Sequence, residues 1–502
     1  MPLEPKYEEI SLTLKKGSAK EGVKVECKTE ISADGVNKML NLSARVAILS
    51  TSPVNNGLEC NGVVNYFVCY LDSEDKVKKY ECSAEFTTTL PSSSKEISKL
   101  NVYGRVDKTE ADLSGVKLSV GAYVIIEAQT SESQTVNALT GGQSIIADLS
   151  EVTMLKSCGQ RETVFSLSER FDIDCVVSEV LSQRAEARIT AVQCGVGCII
   201  VDGEVHISAI LLQSSDKNDI IRKNKTLPFR AEIDCEDAMP SMTANATVRE
   251  KSFKTDIAVD EQNGGSTVDA EIVLILSGEA YYSQTYDLAT DAFSTSEEVE
   301  LECEQKEYIE PCEQRSFEQE IIGRAGIDEL PVGVSLLACV NENVEIVSTE
   351  CSDGVNLTGL LTATAFFKDL DGRVFTRKAE TPFTCKLQTG FDCSYAYLVR
   401  AVAESGKIRM VSATELELSA KVYFTVYPHR NCRIKVVKGV KSLGQKKTDD
   451  YALSVYIPTV GESLWSLAKR LNVSPEQVVA INPDLQFPLS GEERIVIYRQ
   501  LR

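Results

Sequence analysis

Three segments of the chain share one pattern, in which hydrophobic residues alternate with polar residues around a central glycine. Because successive side chains of a β-strand point to opposite faces, a period of two predicts a strand with one buried face. The glycines are Gly62, Gly203 and Gly359. A glycine inside a strand is typical of a bulge or bend. The segments are 57–70, 198–211 and 354–367.

Other positions keep a similar spacing from the three glycines. A leucine lies 22 residues before each glycine, and a phenylalanine lies 24 or 26 residues after it. Each intervening stretch contains a polar turn, so each glycine segment and the residues after it are predicted to form a β-hairpin. These landmarks are Leu40, Leu181 and Leu337, then Phe86, Phe229 and Phe383, with turns at 72–75, 214–219 and 369–372.

The landmarks predict that most of the chain consists of three tandem β-rich repeats. A last alternating strand, such as 268–276, closes each repeat. The fold is therefore expected to be mainly β. The predicted boundaries are an N-terminal extension at 1–21, repeats at 22–130, 163–285 and 315–427, and polar separating segments at 131–144 and 286–314.

The pattern changes near the C-terminus, where hydrophobic residues recur with a helical period after Ser463, a predicted helix cap. Ser474 begins a capping box, Ser-Pro-Glu-Gln, for a second short helix. Alternating residues around Val455 and at 494–498 predict one strand before the helices and one after them. Residues 451–500 are therefore predicted to be a small α/β domain of order βααβ. The stripe of the first helix consists of Leu464, Leu467, Ala468 and Leu471.

The charge of the chain excludes one class of function. The 502 residues carry a formal net charge of −21. Lys and Arg supply most nucleic-acid affinity by neutralising phosphates, so we expect no nucleic-acid partner. Residues 428–450 are basic instead, and are interpreted as a linker that is either a flexible tether or a segment that docks on anionic lipid or an acidic partner. Its bases are Arg430, Arg433, Lys435, Lys438, Lys441, Lys446 and Lys447.

No segment of the sequence predicts export or a membrane span. The first residues have neither a cationic lead nor an apolar run, and no apolar stretch reaches the roughly 18 residues that a membrane helix needs. We therefore expect the protein to stay in the cytoplasm. The sixteen cysteines are scattered, and Cys194 and Cys198 lack the C-x-x-C spacing. Most of them are expected to be reduced and buried.

Residue types that carry catalysis are sparse. The two histidines, His206 and His429, lie in different modules, and His206 is expected to be a solvated surface residue on the polar face of its strand. The glutamates at 297–304 are interpreted as a solvated acidic linker, because cation sites and glycosidase pairs need a defined geometry. No nucleotide-binding, zinc-protease or hydrolase motif occurs. We therefore expect no enzymatic activity, no catalytic residue, no cofactor and no metal.

The C-terminal segment resembles a LysM domain. The likeness rests on Gly461-Glu-Ser-Leu-Trp465, on Ala468 and on Asn482-Pro483. It implies a shallow groove between the loop after the first strand and the loop after the second helix. LysM domains bind N-acetylglucosamine-containing glycans there, and some bind proteins. The resemblance assigns the groove to Thr459, Val460, Gly461, Glu462, Ser463, Asn482, Pro483, Asp484 and Leu485.

Two departures from the LysM pattern favour a protein ligand. The last strand ends in Tyr498 where a proline is usual, and the charged pair Glu492-Glu493 replaces an uncharged lead-in. Trp465, the single tryptophan, is predicted to be a core residue, with a ligand platform as the alternative.

The tandem repeats resemble the SPOCS domain of spore coat morphogenetic proteins. The likeness rests on the glycine-centred strand followed by Pro-Phe, at Pro228-Phe229 and Pro382-Phe383. The first repeat departs from it, with Glu85-Phe86 at this place. SPOCS repeats followed by one C-terminal LysM domain resemble the SipL and SpoVID type of endospore coat scaffold.

This resemblance implies a non-enzymatic scaffold made in the mother cell and located at the forespore surface or in the spore coat. Its expected partners are the morphogenetic ATPase of the coat basement layer and other coat proteins. Self-association through exposed strand edges is a further expectation. The alternative is a wall- or cortex-associated protein that binds peptidoglycan glycan. A cytosolic enzyme is a third class, for which the chain offers no substrate-binding motif.

Overall fold

The computed structural model shows a chain made mainly of β-strands, which confirms the prediction of a mainly β fold. Within the part of the chain that the structure describes, the strands form six sheets in the body of the protein and one small sheet near the C-terminus. The structure describes residues 3–31, 36–54, 57–91, 99–114, 116–214, 218–260, 264–352, 354–404, 406–446 and 453–498.

Unit 1, residues 4–143, contains two antiparallel sheets that pack face to face. Its strands are β1 (Glu4–Glu30), β2 (Val36–Val54), β3 (Gly57–Asp72), β4 (Val77–Pro91), β5 (Lys99–Ser114) and β6 (Lys117–Gln143). The first sheet has the order β1-β6-β5 and the second has the order β2-β3-β4. Their apolar faces meet in one core, where Tyr66, Val68, Val124 and Ile126 are fully buried.

Unit 2, residues 146–293, repeats this arrangement. Its strands are β7 (Ile146–Ile173), β8 (Val177–Cys194), β9 (Cys198–Gln213), β10 (Ile220–Asp234), β11 (Thr243–Asp260) and β12 (Gly265–Phe293). The sheets have the orders β11-β12-β7 and β10-β9-β8. Ile199, Val205 and Ile272 are fully buried in the core between them.

Unit 3, residues 297–445, has the same plan with a divided first strand. Its strands are β13 (Glu297–Pro311), β14 (Arg315–Gly326), β15 (Ser335–Ser352), β16 (Gly354–Lys368), β17 (Val374–Leu387), β18 (Tyr395–Ala403), β19 (Lys407–Ser412) and β20 (Glu415–Gln445). Strand β20 pairs with β13, β14, β18 and β19, and the second sheet has the order β15-β16-β17. The core between them buries Leu361, Phe367 and Phe424.

The three central glycines lie in β3, β9 and β16, each directly opposite a phenylalanine of the next strand. The ring covers the glycine, because a Cβ added to Gly203 would lie 2.3 Å from Cζ of Phe229. A bulge occurs at the predicted place, but in the facing strand: the register of β8 shifts between Ile189 and Ala191, opposite Gly203. The pairs are Gly62 with Phe86, Gly203 with Phe229, and Gly359 with Phe383.

The three units close into a ring, because each unit contacts both of the others. At the centre of the ring, residues from all three units form one hydrophobic cluster that includes Leu40, Leu181 and Phe366. The spacing of the leucines therefore reflects a shared place on the ring axis. The contacts that close the ring are Lys79 N to Glu179 Oε2 (3.1 Å), Arg222 Nη1 to the Cys339 carbonyl (2.9 Å) and Thr376 Oγ1 to the Leu40 carbonyl (2.6 Å).

The first and last strands of each unit extend well beyond the predicted repeat boundaries. In unit 1, β1 pairs with β6 from Glu4 opposite Gln143 to Glu30 opposite Lys117. The segment predicted as an N-terminal extension is therefore strand from residue 4, and the predicted separating segments are largely strand. Their outer faces are polar, and their inner faces meet in a core shared by the three units, so each segment needs few apolar residues.

The predicted basic linker at 428–450 is strand as far as Gln445, and it pairs with the predicted acidic linker. In this antiparallel ladder Glu300 lies opposite Lys441, and Glu307 lies opposite Arg433. The interpretations of 428–450 as a flexible tether and of 297–304 as an acidic linker are corrected for the described residues, because both segments are strands of one sheet. Opposite charges that face each other across neighbouring strands stabilise a sheet. Lys447 and the rest of the predicted linker lie outside the described residues.

The C-terminal unit, residues 453–498, consists of β21 (Leu453–Tyr456), α1 (Leu464–Leu471), α2 (Pro475–Ile481) and β22 (Ile495–Tyr498). β21 pairs antiparallel with β22. Ser463 caps α1, and Ser474 and Gln477 form both hydrogen bonds of the capping box at α2. The ends of the predicted domain, 451–452 and 499–500, lie outside the described residues. Neither described helix has the length and hydrophobicity to cross a membrane.

Candidate functional site

The first half of the predicted groove, residues 459–463, forms the turn between β21 and α1. The carboxylate of Glu462 accepts hydrogen bonds from Thr459 N (3.0 Å) and, in a bidentate pair, from Arg470 Nε and Nη2 (both 2.9 Å). The hydrogen bond from Arg470 is the main reason why the pKa of Glu462 lies below its usual value. Gly461, with a φ of 80°, donates to the carbonyl of Leu489 (2.8 Å). Glu462, Gly461 and the helix cap Ser463 therefore build the turn.

The second half, residues 482–485, follows α2. The side chain of Asn482 ties the end of this helix to β22: its Nδ2 donates to the carbonyls of Val478 (3.0 Å) and Val496 (2.8 Å), and its Oδ1 accepts from Val496 N (2.8 Å). Leu485 packs against the core of the C-terminal unit. Asn482 and Leu485 are therefore structural, whereas Pro483 and Asp484 are exposed.

Three of the nine predicted groove residues present exposed side chains without a structural hydrogen bond or a core contact. Val460 is 80% exposed, and Pro483 and Asp484 are also exposed. The structure thus separates the predicted site into residues that form the loops and residues that can contact a ligand. The contacting set is Val460, Pro483 and Asp484, whereas the hydroxyl of Thr459 donates to Glu462 Oε2 (3.3 Å) within the turn.

The charged departure from the LysM pattern has a local role. The carboxylate of Glu493 accepts hydrogen bonds from Ser490 N (2.8 Å) and Gly491 N (2.9 Å). These backbone donors, that of Ser490 first, lower the pKa of Glu493 to about 2. Glu493 therefore shapes the turn before β22.

A second exposed surface of the C-terminal unit was not predicted. In the β21–β22 ladder Leu453 lies opposite Tyr498 and Val455 lies opposite Val496, so these four side chains share one face. Leu453, Val455 and Tyr498 are more than half exposed. In the sequence, Leu453 and Val455 alternate with Ser454 and Tyr456, which predicts a strand. This alternation does not reveal which face of the strand is buried. An apolar face of this kind is typical of a protein-binding surface.

The helix α1 fixes the C-terminal unit to the end of β12 in unit 2. Trp465 Nε1 donates to Asp291 Oδ2 (2.9 Å), and the indole packs edge-on against Phe293 at 5.2 Å between ring centroids. Lys469, one turn later, pairs with Asp291 at 2.6 Å. Burial raises the pKa of Asp291, but the hydrogen bonds from Lys469 and Trp465 outweigh it, and the pKa lies below its usual value. Trp465 is therefore a contact between the C-terminal unit and unit 2.

Further hydrogen bonds extend this junction to the turn after β12. Asn472 Nδ2 donates to the carbonyl of Thr295 (2.8 Å), and Lys446 Nζ donates to the carbonyl of Ser294 (2.8 Å) and to Asn472 Oδ1 (2.7 Å). Lys446 belongs to the segment 428–450, interpreted as a tether. Its hydrogen bonds help to hold the C-terminal unit against the body. The junction uses α1 and leaves Val460 and Asp484 uncovered.

The structure corrects the expectation for His206. Its side chain is only 13% exposed, and its Nδ1 lies 3.1 Å from Thr226 Oγ1 and 3.4 Å from Glu404 Oε1 of unit 3. Burial lowers the pKa of His206 below its usual value. The polar face of β9 is covered by unit 3 at this place, which the periodicity of one strand cannot reveal.

The cysteines show one difference from the expected reduced state. Cys351, near the end of β15, forms a disulfide with Cys393 in the loop before β18. The other fourteen cysteines are free thiols. Among the residues that the structure describes, no group of three or more His, Cys, Asp or Glu side chains is placed to hold a metal ion.

Comparison with known proteins identifies one segment of the body. Residues 176–258 match the model of the family described as SipL, SPOCS domain. This range contains β8, β9 and β10 and most of β11, with Gly203 and Phe229. No curated protein and no solved structure matches the chain. The match supports the SPOCS part of the resemblance and a role related to sporulation and the spore coat.

Proposed function

We propose that the protein is a non-enzymatic scaffold of endospore coat assembly. It docks onto the morphogenetic ATPase of the coat basement layer at the forespore surface, on the mother-cell side, and helps to recruit other coat proteins. The observation that carries this proposal is the SPOCS match at residues 176–258. The same strand plan recurs in units 1 and 3, which we propose to be SPOCS repeats as well.

The architecture suits a scaffold. Three similar units in a closed ring offer three similar surfaces, and several weak contacts to one partner layer combine into strong attachment. The exposed edges of the sheets also offer strands to a second copy of the chain, so self-association belongs to the same proposal.

The C-terminal unit supplies the specific docking surface, and we propose that it is a LysM domain. Its junction with unit 2 fixes its orientation, which limits the entropy that binding would cost. Val460 and Asp484 remain exposed, and the apolar face of Leu453, Val455 and Tyr498 lies on the same unit. Exposed apolar surface favours a protein partner over a glycan, because glycan recognition depends on directed hydrogen bonds.

Two exposed valines of the C-terminal unit provide a matched pair for testing the docking surface. Val460 is 80% exposed in the predicted groove, and Val479 is 45% exposed on α2, outside it. In the full chain we expect Val460→Glu to weaken binding to the purified coat ATPase at least tenfold. Val479→Glu should bind as the unchanged protein does. Equal binding by all three proteins would exclude the groove as the docking surface.

The cellular prediction is separate. In sporulating cells a fluorescent fusion of the full chain should encircle the forespore, and deletion should mislocalise the coat. An even distribution in the mother cell together with an intact coat after deletion would overturn the scaffold proposal.

The alternative proposal is binding of peptidoglycan or another N-acetylglucosamine-containing glycan in the cortex or wall. The uncovered loops at 459–463 and 482–485 favour it, because the junction with unit 2 leaves them accessible. Calorimetric titration of the full chain with chito-oligosaccharides tests it directly. Saturable binding that Val460→Glu removes would support the alternative, and no heat of binding at millimolar sugar would exclude it.

A further inference from the structure

Beside the central hydrophobic cluster, the ring of three units leaves an open space, the axial cavity. A cavity of about 1380 Å³ is lined by strands of every unit: β2 and β5, β8 and β11, β15 and β18. The central hydrophobic cluster, through Leu40 and Val340, borders this cavity. A second cavity of about 220 Å³ adjoins it, and Tyr103 and Leu398 line both. These cavities lie outside the C-terminal unit and are independent of the proposed docking surface.

Three residues at equivalent positions line the cavities: Thr247 lines the smaller one, Arg400 lines the larger one, and Tyr103 lines both. Tyr103, Thr247 and Arg400 lie opposite positions 127, 277 and 425 of the central strands β6, β12 and β20. Each of these positions is nine residues after the first buried hydrophobic residue of its strand, Leu118, Val268 or Leu416. The guanidinium of Arg400 lies over the ring of Tyr103, and its Cζ is 5.8 Å from the ring centroid of Tyr427.

Arg400 differs from the other arginines of the cavity wall, because it has no acidic partner. Among the described residues, no carboxylate or carbonyl oxygen accepts a hydrogen bond from its guanidinium, and its Nη2 is buried without a partner. Burial lowers the pKa of Arg400 to about 10. The paired arginines are Arg45 with Glu250 (3.8 Å), Arg105 with Glu345 (3.1 Å), Arg184 with Glu186 (2.8 Å) and Arg249 with Glu162 (3.5 Å).

The hydroxyl of Tyr103 is a second unsatisfied group of the same stacked pair. It is buried and has no hydrogen-bond partner among the described residues. A half-buried cation without a counter-ion, whose Nη2 is fully buried, and a buried hydroxyl without an acceptor each cost stability. The π faces of Tyr103 and Tyr427 offset only part of the cost for Arg400. One anion beside this pair would satisfy both groups.

We propose that the axial cavity binds a small ligand through an oxyanion, a carboxylate or a phosphate group, at Arg400 and Tyr103. The planar guanidinium presents parallel donors that match either group. The larger cavity exceeds the volume that ordinary small-molecule sites need, about 300–1000 Å³, so the remainder of such a ligand fits. A ligand on the axis contacts strands of all three units, so its binding stabilises the closed ring.

The test is thermal unfolding of the full chain with inorganic phosphate, with citrate, and with sodium chloride at the same ionic strength. We expect phosphate or citrate to raise the unfolding midpoint in a saturable manner, whereas chloride does not. The anion that acts at the lower concentration distinguishes a phosphate site from a carboxylate site. Equal responses to all three salts, or no response to phosphate and citrate, would overturn the proposal. A rise that does not saturate would overturn it as well, because phosphate and citrate stabilise proteins in this way by exclusion from the surface.

Three variants locate the effect. Arg400→Met removes the charge and keeps most of the volume, so it should abolish the anion response while leaving the midpoint without anion unchanged or higher. Arg409→Met is the control, since Arg409 is exposed and paired with Glu417, and it should keep the full response. A full anion response in Arg400→Met would contradict the assignment.

Tyr103→Phe keeps the ring under Arg400 and removes only the hydroxyl. It should fold even if Arg400→Met does not, and should bind the effective anion roughly five- to tenfold more weakly, as expected for one lost hydrogen bond. Phosphorus NMR of phosphate with this variant and with the unchanged protein gives the ratio of affinities directly. Equal affinities would exclude Tyr103 from the site.

Discussion

The pairing of a glycine with a phenylalanine shows how single residues organise each unit. The phenylalanine ring lies across the neighbouring strand, in the space that a side chain at the glycine would occupy. The facing strand bulges at the same level, which brings a carbonyl close to the glycine on its other side: a Cβ on Gly203 would lie 2.5 Å from the carbonyl oxygen of Arg188. Glycine is therefore required by close approach on two sides.

This packing predicts that Gly203→Ala destabilises the protein by roughly 1–3 kcal/mol, the usual range for an overpacked core site. Chemical unfolding followed by circular dichroism measures the change. Gly22→Ala is the control, because a Cβ at Gly22 would meet no atom within 4 Å. If both variants lose the same stability, the loss is the general effect of replacing a strand glycine, and the Phe229 side chain has no special role.

His206 predicts a dependence of stability on pH. Its pKa in the folded protein lies below the value in the unfolded chain because burial disfavours the charged ring, and Arg184 and Arg222 add to this effect against Glu404 and Glu342. Above the unfolded pKa of about 6.5 the ring is neutral in both states, and His206 costs no stability. As the pH falls from this value toward the folded pKa, the unfolded state gains a proton more readily than the folded state, and stability is lost.

His206→Gln should therefore flatten the fall in unfolding free energy between about pH 7 and pH 5. The measurement is a series of urea unfolding curves at steps of pH for the variant and the unchanged protein. If the unfolding free energy has the same slope against pH in the two proteins, burial of His206 against unit 3 does not cause the pH dependence.

At the scale of elements, the ladder between β13 and the second half of β20 joins two segments that the sequence assigns to separate linkers. The alternation of glutamates in β13 matches the alternation of basic residues in β20, and Lys438 Nζ lies 3.1 Å from Glu302 Oε1 and 3.8 Å from Glu304 Oε2. The hydrogen bond to Glu302, together with the charges of Glu302 and Glu304, raises the pKa of Lys438. Charge complementarity thus sets the partner of each strand.

Lys438→Glu should lower the unfolding midpoint at low salt, because it puts three carboxylates together on one ladder. Adding Glu302→Lys to the same chain should recover most of the loss by restoring an opposite pair. Both effects should shrink at high salt, where exposed charges are screened. A loss that is independent of salt would show that Lys438 acts through packing of its aliphatic chain instead.

At the scale of the whole molecule, the junction at Asp291 makes the C-terminal unit part of the body. Asp291 accepts hydrogen bonds from both Trp465 and Lys469, so one carboxylate holds two residues of α1. Because its folded pKa is depressed, the junction is stable above the usual pKa of aspartate and is lost as the pH falls through the lower folded value.

Asp291→Asn should release α1, and the emission of Trp465, the single tryptophan, should shift to longer wavelength as its ring meets more water. Limited proteolysis that releases the C-terminal unit should become faster in the same variant. Asp287→Asn, which changes an exposed acid on the same strand, should do neither. Unchanged emission in Asp291→Asn would mean that Phe293 alone fixes the indole.

The sequence by itself determined whatever depends on local spacing. The period of two around Gly62, Gly203 and Gly359 gave the hairpins, and the stripe and caps at Ser463 and Ser474 gave two helices at the predicted places. The similar spacing of leucine, glycine and phenylalanine in three segments predicted that one order of strands recurs. These features need only neighbouring residues, because side-chain direction and helix capping act over a few positions.

Only the tertiary structure decided which polar faces are covered and where each repeat ends. The strand at 428–445 looks like a linker until β13 lies beside it, and His206 looks solvated until unit 3 covers it. Trp465 donates to Asp291, which is 174 residues away in the chain, and Arg400 of unit 3 stacks on Tyr103 of unit 1. Contacts between distant strands produce no periodic pattern within either strand. The residues that make such a contact can be recognised only when both strands are seen together.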